Sequence, residues 1–383
     1  WLEVEIIEKD KEPYIKKIGI ERLHMEEDAG KLVHSGSDRL AGSKYSLVDY
    51  NRAGIALCEI VSKPDIRSGK EASEYASEIR RTVRYLGVSD GNMQEGSLRC
   101  DVNISVRKGP NAPFGTKVEI KNMNSFSAIQ KACDYEIARQ IEVYENGGKI
   151  FQETRLWDEA KQLTKSMRLK EGSSDYRYFP DPDLGPIEIT KAQQEIWFKE
   201  LPELPSKKRN KYVSQFGLSA YDARVISDEI SMANFFEETV ANGAEAKLAS
   251  NWVTSDIVGY LKSNKLSFSE LKLSPENLAE MINMISKNII SGKIAKEILP
   301  ELIQKNISPK KLVEEKGLAM ISDSSSILPI IDELINEHPN EVQAFKNGKT
   351  KLLGFFVGQL MKRTKGKADP KLANKLLMEK LNS

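Results

Sequence analysis

The sequence predicts an α+β fold: a first domain built on antiparallel sheet with a few helices, then an all-helical second half. Three observations lead there. Apolar and polar residues alternate at period two in several segments of the first half. Helix-start signals, a Ser or Asp followed by Pro, recur in the second half. The 383 residues are also too many for one core, so two or three domains are expected. With 40% apolar and 30% charged residues the composition is that of a globular protein, and no stretch approaches the ~20 apolar residues of a membrane span.

The elements follow in order. W-L-E-V-E-I-I and Y-I-K-K-I-G-I flank the polar E-K-D-K-E-P and predict a hairpin. Because the first residues already read as a strand, the sequence is expected to lack an amino-terminal segment. A strand is expected from Ile18 to Glu27, with Arg22, His24 and Glu26 on one face and Leu23, Met25 and Glu27 on the other. I-A-L-C-E-I-V, Ile55 to Val61, is apolar except for Glu59 and predicts a buried strand. Ala72, Tyr75, Ile79, Val83 and Leu86 give a helix over 70–86, and Ile129, Cys133, Ile137 and Ile141 give a second that stops at Gly147-Gly148. Between them S-L-R-C-D-V-N-I-S-V-R, residues 97–107, alternates cleanly, and T-K-V-E-I-K-N is its antiparallel partner.

P-E-L-P, Pro202 to Pro205, marks a change of character. Ser274-Pro275, Ser308-Pro309 and Asp369-Pro370 are helix starts, and Leu278, Ile282, Ile285 and Ile289 form one apolar stripe. The expected division is 1–200, 201–312 and 313–383. The whole-chain charge of +1 is uninformative, but Lys346 to Lys380 carries ten Lys and Arg against Asp369 and Glu379, a local +8. A basic helical module of this kind suits a phosphate backbone; a solvated lysine-rich face is the other reading.

Chemistry concentrates in two places. Glu27 falls on the apolar side of its strand and Glu59 sits within an apolar one, so both are expected to be buried. A buried carboxylate must be paired, protonated or metal-bound. One reading places a divalent ion between the two, and all-oxygen ligands favour Mg²⁺. In the other reading each acid meets an arginine, with Arg22, Arg52 and Arg99 available. The second place is the polar face of strand 97–107 and its neighbour, where Glu95, Arg99 and Asp101 face Glu119, Lys121, Asn122 and Asn124. Acids for an ion and cations for phosphates could hold a metal-bound nucleotide; a cross-strand pair of Arg99 with Glu119 explains part of it.

Other chemistries fail on the residues. Gly-Lys-Thr in K-N-G-K-T-K has Gln343 where a phosphate loop needs Gly, and no strand precedes it. There is no G-x-G-x-x-G and no G-x-S-x-G. Cys58, Cys100 and Cys133 are odd in number and widely spaced, which fits a reducing compartment rather than a metal site. No histidine stands near the strand cysteines, so a nucleophilic hydrolase is not expected. His24 and His34 are too few to hold a metal without acids.

H-M-E-E-D-A-G-K, Y-S-L-V-D-Y-N-R-A-G, E-I-V-S-K-P-D-I-R-S, E-G-S-L-R-C-D-V-N-I-S, K-N-M-N-S-F and D-Y-R-Y-F-P-D-P-D-L occur in this order. Together they resemble the B-subunit family of the bacterial and organellar aspartyl/glutamyl-tRNA amidotransferases, from about Ile18 to the carboxyl end. The resemblance implies a cradle-like catalytic domain, a helical domain and a small tail domain similar to the YqeY family. It implies ATP-dependent phosphorylation of the side-chain carboxylate of misacylated Glu-tRNA(Gln) or Asp-tRNA(Asn), then amidation by ammonia. The expected activity is that of a ligase forming carbon–nitrogen bonds with glutamine as amido donor, in a heterotrimer with an amidase A subunit and a small C subunit. The expected cofactors are ATP and Mg²⁺, and the expected location is the cytoplasm, or an organellar matrix or plastid in a eukaryote.

On that resemblance Glu27, or less directly Glu26, and Glu59 match acidic Mg²⁺ ligands. Arg99 and Lys121, with Asn122, are expected at the phosphates, chiefly on sheet-face chemistry. Lys349, Lys351, Lys362, Arg363, Lys365 and Lys367 become the expected tRNA contacts. The sequence departs from the family pattern in two respects. The family's opening Gly-Leu-Glu-Val-His strand, whose Glu and His complete the metal shell, is absent, and Ala56 stands where proline is usual. Nor is there room for the extra domain of a related archaeal branch. The alternative function is a non-catalytic tRNA-binding scaffold of the same complex. The loop of residues 35–43 has no assigned role.

Overall fold

The computed structural model describes residues 1–35, 44–169, 182–320, 324–364 and 366–382. Most of the loop of residues 35–43, all but the last three residues of D-Y-R-Y-F-P-D-P-D-L, and Lys365 lie outside the described residues. The chain forms two compact units, Trp1–Pro202 and Glu203–Ser383.

The first unit is α+β. Strands β1 (Leu2–Ile6) and β2 (Tyr14–Ile18) pair antiparallel, with Val4, Ile6 and Ile18 buried. The expected strand through residue 18 is interrupted at Gly19, whose N–H donates to Asp65. Strand β3 (Ile20–Glu27) then pairs antiparallel with β6 (Ala56–Ser62), and β4 (Lys31–His34) with β5 (Ser46–Asp49). A four-stranded sheet follows in the order β10 (Leu163–Leu169), β9 (Glu153–Asp158), β8 (Val118–Lys121), β7 (Val102–Ile104). Its β8–β9 pair is parallel, whereas the sequence predicts antiparallel pairing throughout.

Helix α1 (Gly69–Tyr85) starts because the Ser68 hydroxyl accepts from Glu71 N, and α2 (Phe126–Glu145) because Ser125 accepts from Ala128 N. The helices cross so closely that a Cβ on Gly69 would lie 2.4 Å from the Gln130 carbonyl oxygen. Ile120, Ile129, Cys133 and Trp157 centre the core between α2 and the sheet. Helix α3 (Lys191–Glu200) ends the unit and buries none of its residues.

Two expectations fail here. Only Val102–Ile104 of residues 97–107 is strand, because Asn92 draws its neighbours into a turn; its carbonyl accepts the N–H groups of Ser97 and Leu98. The β3–β6 ribbon is not buried either. It has no further strand beside it among the described residues, and Leu23 and Met25 are 57% and 62% exposed.

The second unit is helical: α4 (Pro205–Phe216), α5 (Ala220–Ile226), α6 (Ile230–Ala241), α7 (Ala246–Asn251), a π-helical turn (Trp252–Ile257), α8 (Val258–Ser263), α9 (Pro275–Ser286), α10 (Gly292–Lys305), α11 (Pro309–Glu315), α12 (Ser324–Glu337), α13 (Pro339–Lys346), α14 (Leu352–Arg363) and α15 (Pro370–Asn382). Ser274, Ser308 and Asp369 cap α9, α11 and α15 as their sequence positions predict. The stripe on α9 stops at Ile285, because Asn288 turns left-handed at φ 55° and leaves Ile289 40% exposed. One core surrounds Phe236, Met281, Ile282 and Leu302; a second, separate core surrounds Ile331, Phe356, Leu360 and Leu377.

Candidate functional site: a charged ribbon, a sheet-face cluster and a basic tail

Register decides which side chains of the ribbon can act together. His24 lies directly opposite Glu59, Glu26 opposite Leu57, and Glu27 opposite Ala56. Residues facing each other across an antiparallel pair share a face, and parity alternates along each strand. Arg22, His24, Glu26 and Glu59 therefore share one face, and Glu27 takes the other. This corrects the expected pairing of Glu27 with Glu59: the acid placed with Glu59 is Glu26, a diagonal neighbour about 7–8 Å away across the strands.

The expected burial is overturned as well. Glu26, Glu27 and Glu59 are all exposed, on a ribbon that no further strand flanks among the described residues. Arg22 lies 3.7 Å from Glu59 in a pair more than half exposed. Such a pair contributes little stability and leaves the carboxylate open to other ligands.

Three His, Cys, Asp or Glu side chains that could hold a metal by themselves do not converge anywhere among the described residues. Mg²⁺, however, usually takes one or two protein carboxylates and completes its shell with water and substrate phosphates. Glu26 and Glu59 on one open face meet that need in donor type and number.

Asp28, which follows Glu26 and Glu27 in H-M-E-E-D-A-G-K, behaves differently. Asp28 is held by two guanidinium groups, with Arg52 Nη2 at 3.0 Å and Arg99 Nη2 at 3.2 Å from its two carboxylate oxygens. Arg99 lies outside β7, and Asn103 is the residue opposite Glu119, so the expected Arg99–Glu119 pair is replaced by Arg99–Asp28. Sequence reasoning gave Asp28 no specific role and named Arg52 only as one possible counter-ion. The signal was present in Y-N-R-A-G, a turn whose glycine follows two residues after an arginine.

Of the expected sheet-face cluster the structure joins Asp101, Glu119 and Lys121, which satisfy one another. Lys121 Nζ lies 2.5 Å from Asp101 and 3.7 Å from Glu119. Burial works against its charge, yet Asp101 and Glu119 overcome that and hold its pKa above the usual lysine value. Asn122, left-handed at φ 72°, donates its amide to the Trp157 carbonyl at 3.1 Å. Behind this face lies a buried ionic network. Glu136, fully buried on α2, accepts from Arg139 at 2.6 Å and from Gln140 at 3.0 Å, and lies 3.6 Å from Arg155, which also binds Glu153. Its role is to join α2 to β9 and β10.

Burial pushes the Cys100 and Cys133 thiols up to about 12, with Asp101 adding to the effect at Cys100, and all three cysteines are unpaired.

The tail divides its cations into two classes. Arg363, one of the expected tRNA contacts, is engaged by Glu333 at 3.4 Å and by Glu337. Lys349, Lys351 and Lys362 are exposed and make no ion pair with a described residue; Lys367 is half-buried. On α14, Phe356 and Leu360 point into the core, while Gly354, Gly358 and Lys362 follow one another at four-residue spacing on the exposed side.

A family profile described as "GatB/GatE catalytic domain" matches residues 2–195, and one described as "GatB domain" matches residues 234–381. The B subunit of the aspartyl/glutamyl-tRNA(Asn/Gln) amidotransferase of Prochlorococcus marinus (strain MIT 9312) is 95% identical over 382 residues, covering 100% of this chain and 78% of that protein. The chain belongs to this amidotransferase B-subunit family. Proteins of the same name from Parasynechococcus marenigrum (strain WH8102) and Synechococcus sp. (strain WH7803) are 71% and 70% identical over 381 residues, covering 100% of this chain and 78% and 77% of theirs. Within the family frame, the ribbon, the Asp28 node and the sheet-face cluster all fall in the part matched as catalytic. The basic tail falls in the second match. No helix among the described residues is long and apolar enough to cross a membrane.

Proposed function

We propose that this chain is the amide-forming B subunit of a tRNA-dependent amidotransferase, acting with an amidase A subunit and a small C subunit. ATP phosphorylates the side-chain carboxylate of glutamate or aspartate wrongly attached to tRNA(Gln) or tRNA(Asn), releasing ADP. Ammonia then attacks the acyl carbon, the carbon–oxygen bond to phosphate breaks, and inorganic phosphate leaves as the amide forms and loses a proton. The observation that carries this reading is the ribbon face itself: two exposed carboxylates, Glu26 and Glu59, on one face, with the Asp28 node of two arginines just past the end of β3.

Two anions must meet in this reaction, a nucleotide triphosphate and a carboxylate, so the site needs positive charge and fixed orientation. Glu26 and Glu59 would hold a Mg²⁺ that neutralises phosphate charge. Arg99 donates to phosphate oxygens, since its guanidinium is largely exposed and has donors to spare. Lys121 keeps its charge under load from Asp101 and Glu119 and adds to the field on the sheet face. The exposed lysines of the tail, with the smooth Gly354–Gly358 side of α14 between Lys351 and Lys362, approach a tRNA backbone and recognise its shape more than its sequence.

The test uses full-length protein in complex with its A and C partners and follows ATP hydrolysis with mischarged or correctly charged tRNA. Turnover is expected to require mischarged tRNA, Mg²⁺ and Glu59, and Glu59→Gln is expected to remove most of it. Tight tRNA binding with no ATP turnover in the wild type would instead leave this chain as a scaffold.

A further inference from the structure

The turn between β5 and β6 is built to aim one arginine. Asp49 Oδ1 accepts from Asn51 N at 2.9 Å and from Asn51 Nδ2 at 2.6 Å, and Ala53 N donates to the Tyr50 carbonyl. Gly54, left-handed at φ 79°, donates to the Asp28 carbonyl at 2.9 Å, while Asp28 N donates to the Ile55 carbonyl at 2.8 Å. Arg52, in the middle of this turn, is thereby fixed to the end of β3. Its Nη2 meets Asp28, and its Nη1 donates to the carbonyls of Glu95 and Gly96 at 3.2 and 3.0 Å. Gly96 has φ 80°, and a Cβ there would lie 2.8 Å from Arg52 Nη1, so this contact needs the glycine.

Asp28 therefore serves two arginines of different kinds. Arg52 has three acceptors and works as a strut between the ribbon and the 95–96 segment. Arg99, three residues beyond that segment, pairs with Asp28, and its side chain is 62% exposed. Asp28 itself is only 14% exposed. One carboxylate against two guanidiniums leaves a net positive node with the spare donors on Arg99.

We propose that Asp28 and Arg52 are positioning residues that present Arg99 to a phosphate group of the nucleotide next to the Glu26–Glu59 face. The inference rests on the ATP-dependent reading above and adds to it a division of labour: Arg99 touches substrate, Asp28 orients it, and Arg52 fixes the distance of the 95–99 segment from the ribbon. It also gives a physical role to two otherwise unassigned motifs, Y-N-R-A-G and E-G-S-L-R.

A double-mutant cycle in the full complex tests it, with kcat and KM for ATP measured separately using mischarged tRNA. Arg99→Ala is expected to lower kcat/KM for ATP by roughly ten- to a hundredfold, mostly through KM, the size expected for removing hydrogen bonds to a charged group. Asp28→Asn should cost a comparable factor, and the double variant no more than Arg99→Ala alone, because one residue acts through the other. Losses that multiply in the double variant, or an unchanged KM in Asp28→Asn, would overturn the proposal. Arg52→Gln leaves the Asp28–Arg99 pair in place and carries the test if Asp28→Asn does not assemble; a several-fold rise in KM is expected, and an unchanged KM overturns the strut. An Arg99→Ala enzyme with normal KM but a continued need for Glu59 would sink this inference and leave the ATP-dependent reading intact.

Discussion

Glu136 and Glu59 are both glutamates of the first unit with arginine neighbours, and they do opposite jobs. Glu136 is fully buried between Arg139 and Arg155, with Gln140 and Thr164 also donating to it. Glu59 lies about half exposed on the β3–β6 ribbon, 3.7 Å from the long, exposed side chain of Arg22. The difference teaches that arginine proximity alone does not mark a site. An enclosed, saturated carboxylate is structural, whereas an exposed one with a single loose arginine neighbour remains available for a ligand.

Changing Glu136 should have the largest effect on stability. Glu136→Ala removes the buried carboxylate that Arg139 and Arg155 share and leaves Glu153 as their remaining acidic partner, and a loss of about 2 to 3 kcal/mol in urea unfolding of the first unit is expected. A loss under ~1 kcal/mol would break the contrast. Glu59→Gln should do the reverse: unfolding changes by less than about 0.5 kcal/mol, while ATP turnover falls roughly a hundredfold, close to 2.7 kcal/mol of transition-state stabilisation.

The same distinction applies in the tail. Lys351→Ala with Lys362→Ala should weaken tRNA binding several-fold and flatten its salt dependence by about 0.7 to 0.9 for each phosphate no longer neutralised. Arg363→Ala, which removes a cation already engaged by Glu333 and Glu337, should change tail stability by less than about 1 kcal/mol and leave that slope alone. A filter-binding salt titration separates the two.

The smallest effect is in pH. Burial works to raise the Glu153 pKa, but Ser166 and Arg155 overcome it and hold it below the usual 4.5. The unfolded chain then binds the proton more readily, so Glu153 adds stability above pH 4.5 that is lost as pH falls through its depressed folded value. Trp157 fluorescence during acid titration should show this decline in the wild type and a weaker one in Glu153→Gln.

Local signals were legible in the sequence. Ser274 and Ser308 cap their helices because a hydroxyl needs only its own chain three residues on. The parity that put Arg22, His24 and Glu26 together on β3 was legible for the same reason. Which of those faces Glu59 joins was not, because a one-residue slip in cross-strand register reverses it, and register is a property of two strands. Burial of the ribbon was misjudged because apolar composition says what a strand favours, not what covers it. The Asp28–Arg99 contact spans 71 positions and leaves no periodic trace. The sheet-face residues Asp101, Glu119 and Lys121 were found because polar alternation on paired strands brings them together, although their mutual satisfaction was hidden.

The shared face of Glu26 and Glu59 is the centre of this account, and Mg²⁺ dependence tests it most directly. In the full complex, the Mg²⁺ concentration giving half-maximal ATP turnover with mischarged tRNA should rise roughly tenfold in Glu26→Gln, the loss of one carboxylate ligand, and stay near wild type in Glu27→Gln. A rise in Glu27→Gln with Glu26→Gln unaffected would contradict that shared face and return the assignment to Glu27.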